Sequence, residues 1–464
     1  MKPATYFFRL VLFTFIFKTS LAQAQLKDNT REIAFFDLNE CIRYAHQNSE
    51  SLRKVNLDAQ IAKANVKEIK AIGLPQVNLQ GQFVNNIRVQ QTILPDGTLF
   101  GGPPGPIAVA FQPHYIGAGS IQISQLLFDA SYLIGLKAAR TLEQLTTKQV
   151  QLNKQTIAEN VSKAYYTVLL NQERVGLLDK NLQRLDSLIK DTKALFKNGF
   201  VEKIDLDRLE VAYNNLKIEK QKIDRLIDFA RKALKFQMNM PLNDSLALKG
   251  SIADIKLEEG ILQETADYTK RLEYSLLSTQ RTLLNLDVKN KKSTILPRLF
   301  FVWNTGANTG MNNLDNFLKF GKVNGRPVWF EYHFFALSAS WNLFDGFRRK
   351  YATQKAMLEV QKVEQDMKIL KQATDFQVEN ARTTLINSLA DLEVQKRNME
   401  LASEVARVAK IKYQSGVGTN LEIINAETSF KEAETNYYTA LYNAIIAKID
   451  LDVALGKMAN YGKD

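Results

Sequence analysis

Two hydrophobic spacings run through this chain, and each occurs twice. From Gln76 to Phe83 the residues alternate strictly, with Val77, Leu79, Gly81 and Phe83 on one side and Gln76, Asn78, Gln80 and Gln82 on the other. Ile121 and Ile123 alternate with Ser120, Gln122 and Ser124. Later, Leu299, Phe301 and Trp303 share a side, and Phe335, Leu337, Ala339, Trp341 and Leu343 stand opposite Ser338, Ser340 and Asn342. A period of two predicts strands with one apolar and one polar face. About 10 residues per strand suits a tilted strand that crosses a membrane.

The second spacing is helical. Ser131–Lys197 contains no proline and only two glycines, and Phe347–Gln414 contains neither residue. Each stretch is long enough for a helix of about 100 Å at 1.5 Å per residue. Asp129 and Asp345 precede them, placed to cap each helix as it leaves a strand. A seam with alternating steps of four and three runs through Ile157, Val161, Ala164, Val168, Asn171, Val175, Leu178, Leu182, Leu185, Ile189, Thr192 and Phe196. Moved by 217 residues, it becomes Thr374, Val378, Ala381, Leu385, Ser388, Leu392, Gln395, Met399, Ala402, Ala406, Ala409 and Tyr413, still mostly apolar. A seam that survives this translation predicts coiled-coil packing in both places.

The translation reflects a duplication. Gly73–Gln76 (Gly-Leu-Pro-Gln) returns as Ile295–Arg298 (Ile-Leu-Pro-Arg), and Leu-Phe-Asp at Leu127–Asp129 returns at Leu343–Asp345. Phe-Lys-Asn-Gly-Phe at Phe196–Phe200 returns as Tyr-Gln-Ser-Gly-Val at Tyr413–Val417. Each copy reads helix, strand, loop, strand, very long helix, glycine turn, helix. The division expected is a leader over 1–24, a first repeat over 25–240, a linker over 241–260 and a second repeat over 261–464. The loops Leu94–Pro113 and Gly310–Phe330 are rich in glycine and proline and read as mobile caps.

The ends and the charge narrow the setting. Met1–Arg9 is basic, Leu10–Phe17 is a short apolar run, and Ser20–Ala24 carries small residues at signal-peptidase spacing. A secretory leader cut after Ala22 or Ala24 is the expectation. The net charge is +12, with Lys2, Arg9 and Lys18 inside that leader. The other basic residues are spread along helices without a recognition module, which argues against nucleic acid as a partner. The lone Cys41 has no internal disulfide partner and reads as a small buried residue. His46, His114 and His333 show no metal spacing, and there is no phosphate loop or nucleophile elbow, so no enzyme, metal or cofactor is expected.

No segment has 18 consecutive apolar residues, so an exported chain would cross a membrane only as strands. Trp303, Trp329 and Trp341 all lie in or between the two strands of the second half, where interfacial anchors sit. Four strands cannot close a barrel, because every edge must be paired. Several copies must therefore contribute. The rival from another class is a soluble secreted helical protein whose strands form a small sheet.

The ordered constellation resembles the TolC-type outer-membrane efflux proteins over about Phe35 to Gly456. The resemblance implies a mainly α protomer with a transmembrane β part. It implies a homotrimer whose 12-stranded β-barrel sits in outer-membrane lipid of a Gram-negative cell and continues as a 12-helix α-barrel in the periplasm. The tube would be a passive conduit fed by a periplasmic adaptor and an inner-membrane pump, and it would carry small molecules. The same tube in other members serves type I protein secretion. Through Gly416, Thr419 and Ala426, the family's paired acidic constriction falls at Glu422 and Asn425, one carboxylate and one neutral amide. The gate aspartate falls at Asp205 and its tyrosine partner at Tyr413, while the arginine that ties neighbouring protomers falls at Gly418 and is absent. Asp207 and Glu427 are further carboxylates near these turns. The turns Gly199-Phe200-Val201 and Gly416-Val417-Gly418 would meet the adaptor. Without the resemblance, Glu422 is a first-turn carboxylate favoured by the helix dipole, and Tyr413 is a seam residue.

Overall fold

A computed structural model describes residues 35–460 apart from 256–261, 263, 265–266, 319–320 and 324. The expected leader lies outside the described residues, as does part of the 241–260 linker. The chain opens with β1 (Phe35–Phe36), α1 (Leu38–Asn48) and α2 (Glu50–Ile72). Next come β2 (Gln76–Asn85), a hairpin of β3 (Gln91–Leu94) and β4 (Ile107–Ala110), and β5 (Tyr115–Phe128). The long α3 (Ala130–Lys197) and α4 (Lys203–Met238) follow, and β6 (Ala247–Leu248) lies within the expected linker 241–260. The second repeat runs through α5 (Leu272–Ser293), β7 (Arg298–Met311), a short α6 (Leu314–Phe317), β8 (Lys322–Val323), β9 (Arg326–Pro327), β10 (Phe330–Ser340), α7 (Arg348–Gln414) and α8 (Asn420–Ala454). The loops expected to be plain caps thus carry small elements of their own.

The four long strands form one antiparallel sheet in the order β10-β7-β5-β2. Val77, Ile123, Trp303 and Phe335 lie across from one another. The next row is Asn78, Gln122, Asn304 and Phe334, on the other face. Alternation read from each strand alone therefore agrees between strands, since opposed residues share a face. The apolar face is open: Val77, Leu79, Phe335 and Leu337 are all exposed. Trp341 sits at the foot of the sheet, its ring N–H donating to the Ile295 carbonyl at 2.8 Å.

The helices form a curved layer below the sheet. Beside the strands the order is α2, α3, α5, α7, and farther away it is α4, α3, α8, α7. α3 therefore has a neighbour on both sides along its whole length, whereas α7 has one side only. The two seams pack as expected, with Val161, Val168, Val378 and Leu385 fully buried. Phe196 is exposed, because the helix ends one residue later. Amphipathic burial, more than intrinsic propensity, holds helices of this length in place.

The largest core lies midway, where α1, α3, α4 and α8 meet around Ile42, Val161, Leu234, Met238 and Ile445. Cys41 is fully buried there, and burial, reinforced by Asp37 and Glu40, pushes its thiol up to about 12. β1 and β6 pair in parallel beside this core, and the Tyr165 hydroxyl donates to the Lys249 carbonyl at 2.6 Å. Among the described residues no helix is long and apolar enough to cross a membrane.

Candidate pore constriction and helical turns

The site is assembled at the far end of the helical layer, where the chain reverses twice. α3 stops at Lys197, and Gly199 takes φ 75° so that the Phe200 amide reaches back to the Leu195 carbonyl at 3.0 Å. α7 stops at Gln414, and Gly416 takes φ 74°. The amides of Val417 and Gly418 then both donate to the Lys412 carbonyl, at 3.1 and 3.0 Å. This is the left-handed reversal that satisfies the last carbonyls of a helix. A Cβ on Gly418 would stand 2.9 Å from the Tyr413 nitrogen. The position where the family carries an arginine thus has no room for a side chain in this turn. The tips are apolar: Phe200 is 76% exposed and Val417 80%.

α8 starts with a reciprocal cap. Thr419 Oγ1 accepts from the Glu422 amide at 3.2 Å, and the Glu422 carboxylate accepts from the Thr419 amide at 3.4 Å. Glu422 and Asn425 are both exposed, one helical turn apart. They border an open crevice of about 550 Å³ between α7 and α8, together with Glu404, Val408 and Lys412. Within one protomer Glu422 is therefore a capping carboxylate whose side chain also faces open space.

The two turns are tied together, though not by the expected pair. The Tyr413 hydroxyl lies 2.8 Å from Thr192 Oγ1, and both side chains are buried. A Tyr413–Asp205 hydrogen bond is not what the structure holds. Asp205, half-buried in the first turn of α4, has the Arg208 guanidinium 3.8 Å away, and its backbone carbonyl accepts from Asn420 Nδ2 at 2.6 Å. Tyr413 is thus both a seam residue and a polar tie. Its ring belongs to the buried cluster that includes Leu185, Leu188, Leu209, Leu216 and Ile423.

Higher on α8 the carboxylates turn inward. Glu427 accepts from Arg184 Nε at 3.0 Å and Glu434 from Arg184 Nη2 at 3.2 Å, with Asn181 bonded to both Arg184 and Glu434. The guanidinium also lies over the Phe430 ring, 4.7 Å from its centre. Glu427 is thus engaged in a knot between α3 and α8 and is largely buried, whereas Asp207 is exposed on α4. Arg184, Asn181, Glu434 and Asn420 escaped the reading of the sequence, and Thr192 entered it only as a seam position. Asn171, a polar residue in the first seam, showed that this interior tolerates polar groups, but nothing in the spacing paired them.

At the sheet end, Asp129 caps α3 by accepting from the amides of Ser131 at 2.7 Å and Tyr132 at 3.2 Å, with Arg298 at 3.3 Å. Burial acts to raise its carboxyl, but these hydrogen bonds and the Arg298 charge outweigh it and hold the group below the usual carboxylate range. Asp345 works from farther out. The residue at the helix cap is Phe347, at φ 65°, and the Asp345 carboxylate reaches past it to the Arg349 amide at 3.0 Å. Gly346 between them is also left-handed, which shifts the second cap outward by two residues.

A duplicated helix–sheet protomer with two open edges is a fold shared with known channels. The model of the outer membrane efflux protein family matches residues 41–237 and 285–457. The chain belongs to that family. It is therefore a channel protein of the outer-membrane efflux class, with a mainly helical protomer and a transmembrane β part. Among solved structures it is similar to CusC, described in connection with transmembrane channel formation, at TM-score 0.71 and 16% identity over 91% of this chain and 93% of that one. The outer membrane protein VceC of Vibrio cholerae matches at TM-score 0.67 and 15% identity, covering 90% of this chain and 96% of that one. The open state of the Neisseria gonorrhoeae outer membrane channel MtrE matches at 0.67 and 18%, covering 90% and 88%. A comparison with curated protein sequences finds no match.

Proposed function

We propose that three copies of this chain close into one tube that carries small molecules passively out of the cell, fed by a periplasmic adaptor and an inner-membrane pump. One observation carries this reading: the molecule ends in two complementary edges. β10 and β2 are the unpaired edges of the sheet, and α7 and the α2/α4 pair are the edges of the helical layer. Inside one protomer, β5 already pairs with β7, and α3 already packs beside α5 and α8. By the duplication, β10 would pair with β2 of the next copy, and α7 would pack beside its α2 and α4. Both edges then vanish through the same kind of contact, and three copies give the 12 strands of a small closed barrel.

In this tube the repeats 25–240 and 261–464 alternate around the axis. Glu422 and Asn425 form the constriction, with one carboxylate ring where two would repel more strongly. Three Glu422 side chains near an axis repel one another and favour a bound cation. Tyr413, through Thr192, resists parting of the α7 tip from α3, and Asp205 holds the α8 start through Asn420. The apolar turns Gly199–Val201 and Gly416–Gly418 face the adaptor. The work is conduction, with no catalytic group and no cofactor.

The test is the mass of the protein extracted from outer membranes in mild detergent, followed by conductance in planar bilayers. A trimer of roughly 150 kDa supports the reading, and a water-soluble monomer overturns it. Replacing Glu422 by alanine is expected to lower cation selectivity, and unchanged selectivity removes Glu422 from the constriction.

A further inference from the structure

The polar side of the sheet carries a feature that conduction alone does not need. Along β2 this side presents Gln76, Asn78, Gln80 and Gln82, and the β10 edge presents Phe330, Tyr332 and Phe334. Among the described residues of the four strands, the one charged side chain on this side is Arg298 at the foot, paired with Asp129. The charged and titratable neighbours on β10, Glu331 and His333, fall on the opposite side, where His333 Nδ1 lies 2.6 Å from Thr305 Oγ1. An inner wall with almost no charge exerts little field on ions and gives charged solutes no partner.

The three aromatic residues form a shelf. The Tyr332 and Phe334 rings are stacked, with centres 6.3 Å apart and planes 18° apart. Tyr332 leans over Gly306 on the neighbouring strand: a Cβ there would meet its hydroxyl oxygen at 2.8 Å. The absent side chain lets the ring lie against β7 and turn a face to the interior. Phe330 and Phe334 are themselves well exposed. Flat apolar faces and the near absence of charge describe one kind of occupant.

We infer that Phe330, Tyr332 and Phe334 form a stacking site in the wall of the conduit for uncharged aromatic solutes. The site rests on the channel reading. It lies toward the end of the sheet remote from the helices, so a solute meets it on leaving. Rings stack on the shelf in offset or edge-to-face geometry.

The probe is 2-naphthol, uncharged at neutral pH, applied to single channels of the full-length protein in planar bilayers. Wild type is expected to show transient block, with naphthalene-2-sulfonate blocking far more briefly. The double change Tyr332→Ala and Phe334→Ala is expected to shorten the 2-naphthol dwell by about tenfold, the loss of one to two stacking contacts. Phe335→Ala, on the opposite face, is expected to leave it unchanged. If the alanine pair does not insert, Phe334→Leu keeps the volume, removes the flat face and is expected to shorten the dwell by about threefold. Equal dwell times in wild type and shelf variants, or equal block by the sulfonate, overturn the inference. Wild-type protein that inserts but never conducts overturns the channel reading instead.

Discussion

Position for position, α3 and α7 are copies of one helix placed in different company. Leu177 and Leu188 on α3 are 7% and 4% exposed. The residues 217 positions later, Val394 and Val405 on α7, are 55% and 57% exposed. Between them Arg184, knotted to Glu427 and Glu434 of α8, corresponds to the exposed Leu401. The apolar character is conserved across the duplication while the burial is not. α3 has α8 beside it here, whereas Val394, Leu401 and Val405 on α7 stand open to solvent. A second apolar stripe left in water marks an interaction surface, and in the proposed tube it is the one that meets the next copy. The exposed Ile204, Val211 and Ile218 on α4, one heptad apart, offer its complement at the opposite edge.

The sharpest way to break this comparison is to charge the α7 stripe. Val394→Glu with Val405→Glu is expected to abolish the trimer while each protomer keeps its helix content. Mass in detergent and circular dichroism together read this, and an intact trimer would show that the stripe faces something else. Next in size is Arg184→Ala. It leaves two largely buried carboxylates facing each other and is expected to cost about 2–3 kcal/mol in unfolding of the helical part. Leu401→Ala, the matching change on α7, is expected to have a much smaller effect on an isolated protomer. Equal effects would mean that the two copies are energetically alike after all.

Smaller effects test the turns and the caps. Tyr413→Phe removes one buried hydrogen bond to Thr192 and is expected to cost about 1 kcal/mol and to raise the open fraction of the channel. An unchanged open fraction would leave the tie purely structural. Asp129→Asn is expected to cost about 1 kcal/mol or less at neutral pH, within the range of helix caps, with Asp345→Asn costing less because that carboxylate reaches a single amide. The Asp129 contribution has a definite sign with pH. Its carboxyl is depressed in the folded state, so the stabilisation is complete above the ordinary carboxylate range and is lost as pH falls through the depressed value. Thermal melts of wild type and Asp129→Asn should therefore converge as pH falls below the ordinary carboxylate range, and a gap that widens on acidification would contradict this.

Much of the fold was legible because its rules are local and periodic. Strict alternation set Val77, Ile123, Trp303 and Phe335 each on the apolar side of its own strand, and the pairing brings those sides together. The seam placed Val161 and Leu385 in the interior. The turn glycines announced themselves, since a left-handed reversal excludes most side chains. The site was less legible. Glu427 looked like Glu422, an acidic residue early in the same helix, yet one is tied to Arg184 and the other is exposed. Tyr413 was placed against Asp205 by resemblance, and the structure gives it Thr192. Asp345 sits two residues farther from its helix than Asp129, because Gly346 and Phe347 both turn left-handed.

The sequence by itself determined the duplication, the four two-faced strands, the paired long helices and the reversals. Each follows from local patterns that the residues themselves carry. Only the tertiary structure decided which polar groups meet across helices, which copy of the seam has a covered flank, and that an aromatic shelf lies over Gly306. Those outcomes depend on lateral neighbours hundreds of residues away, and a difference of one helical turn in packing exchanges one hydrogen-bond partner for another.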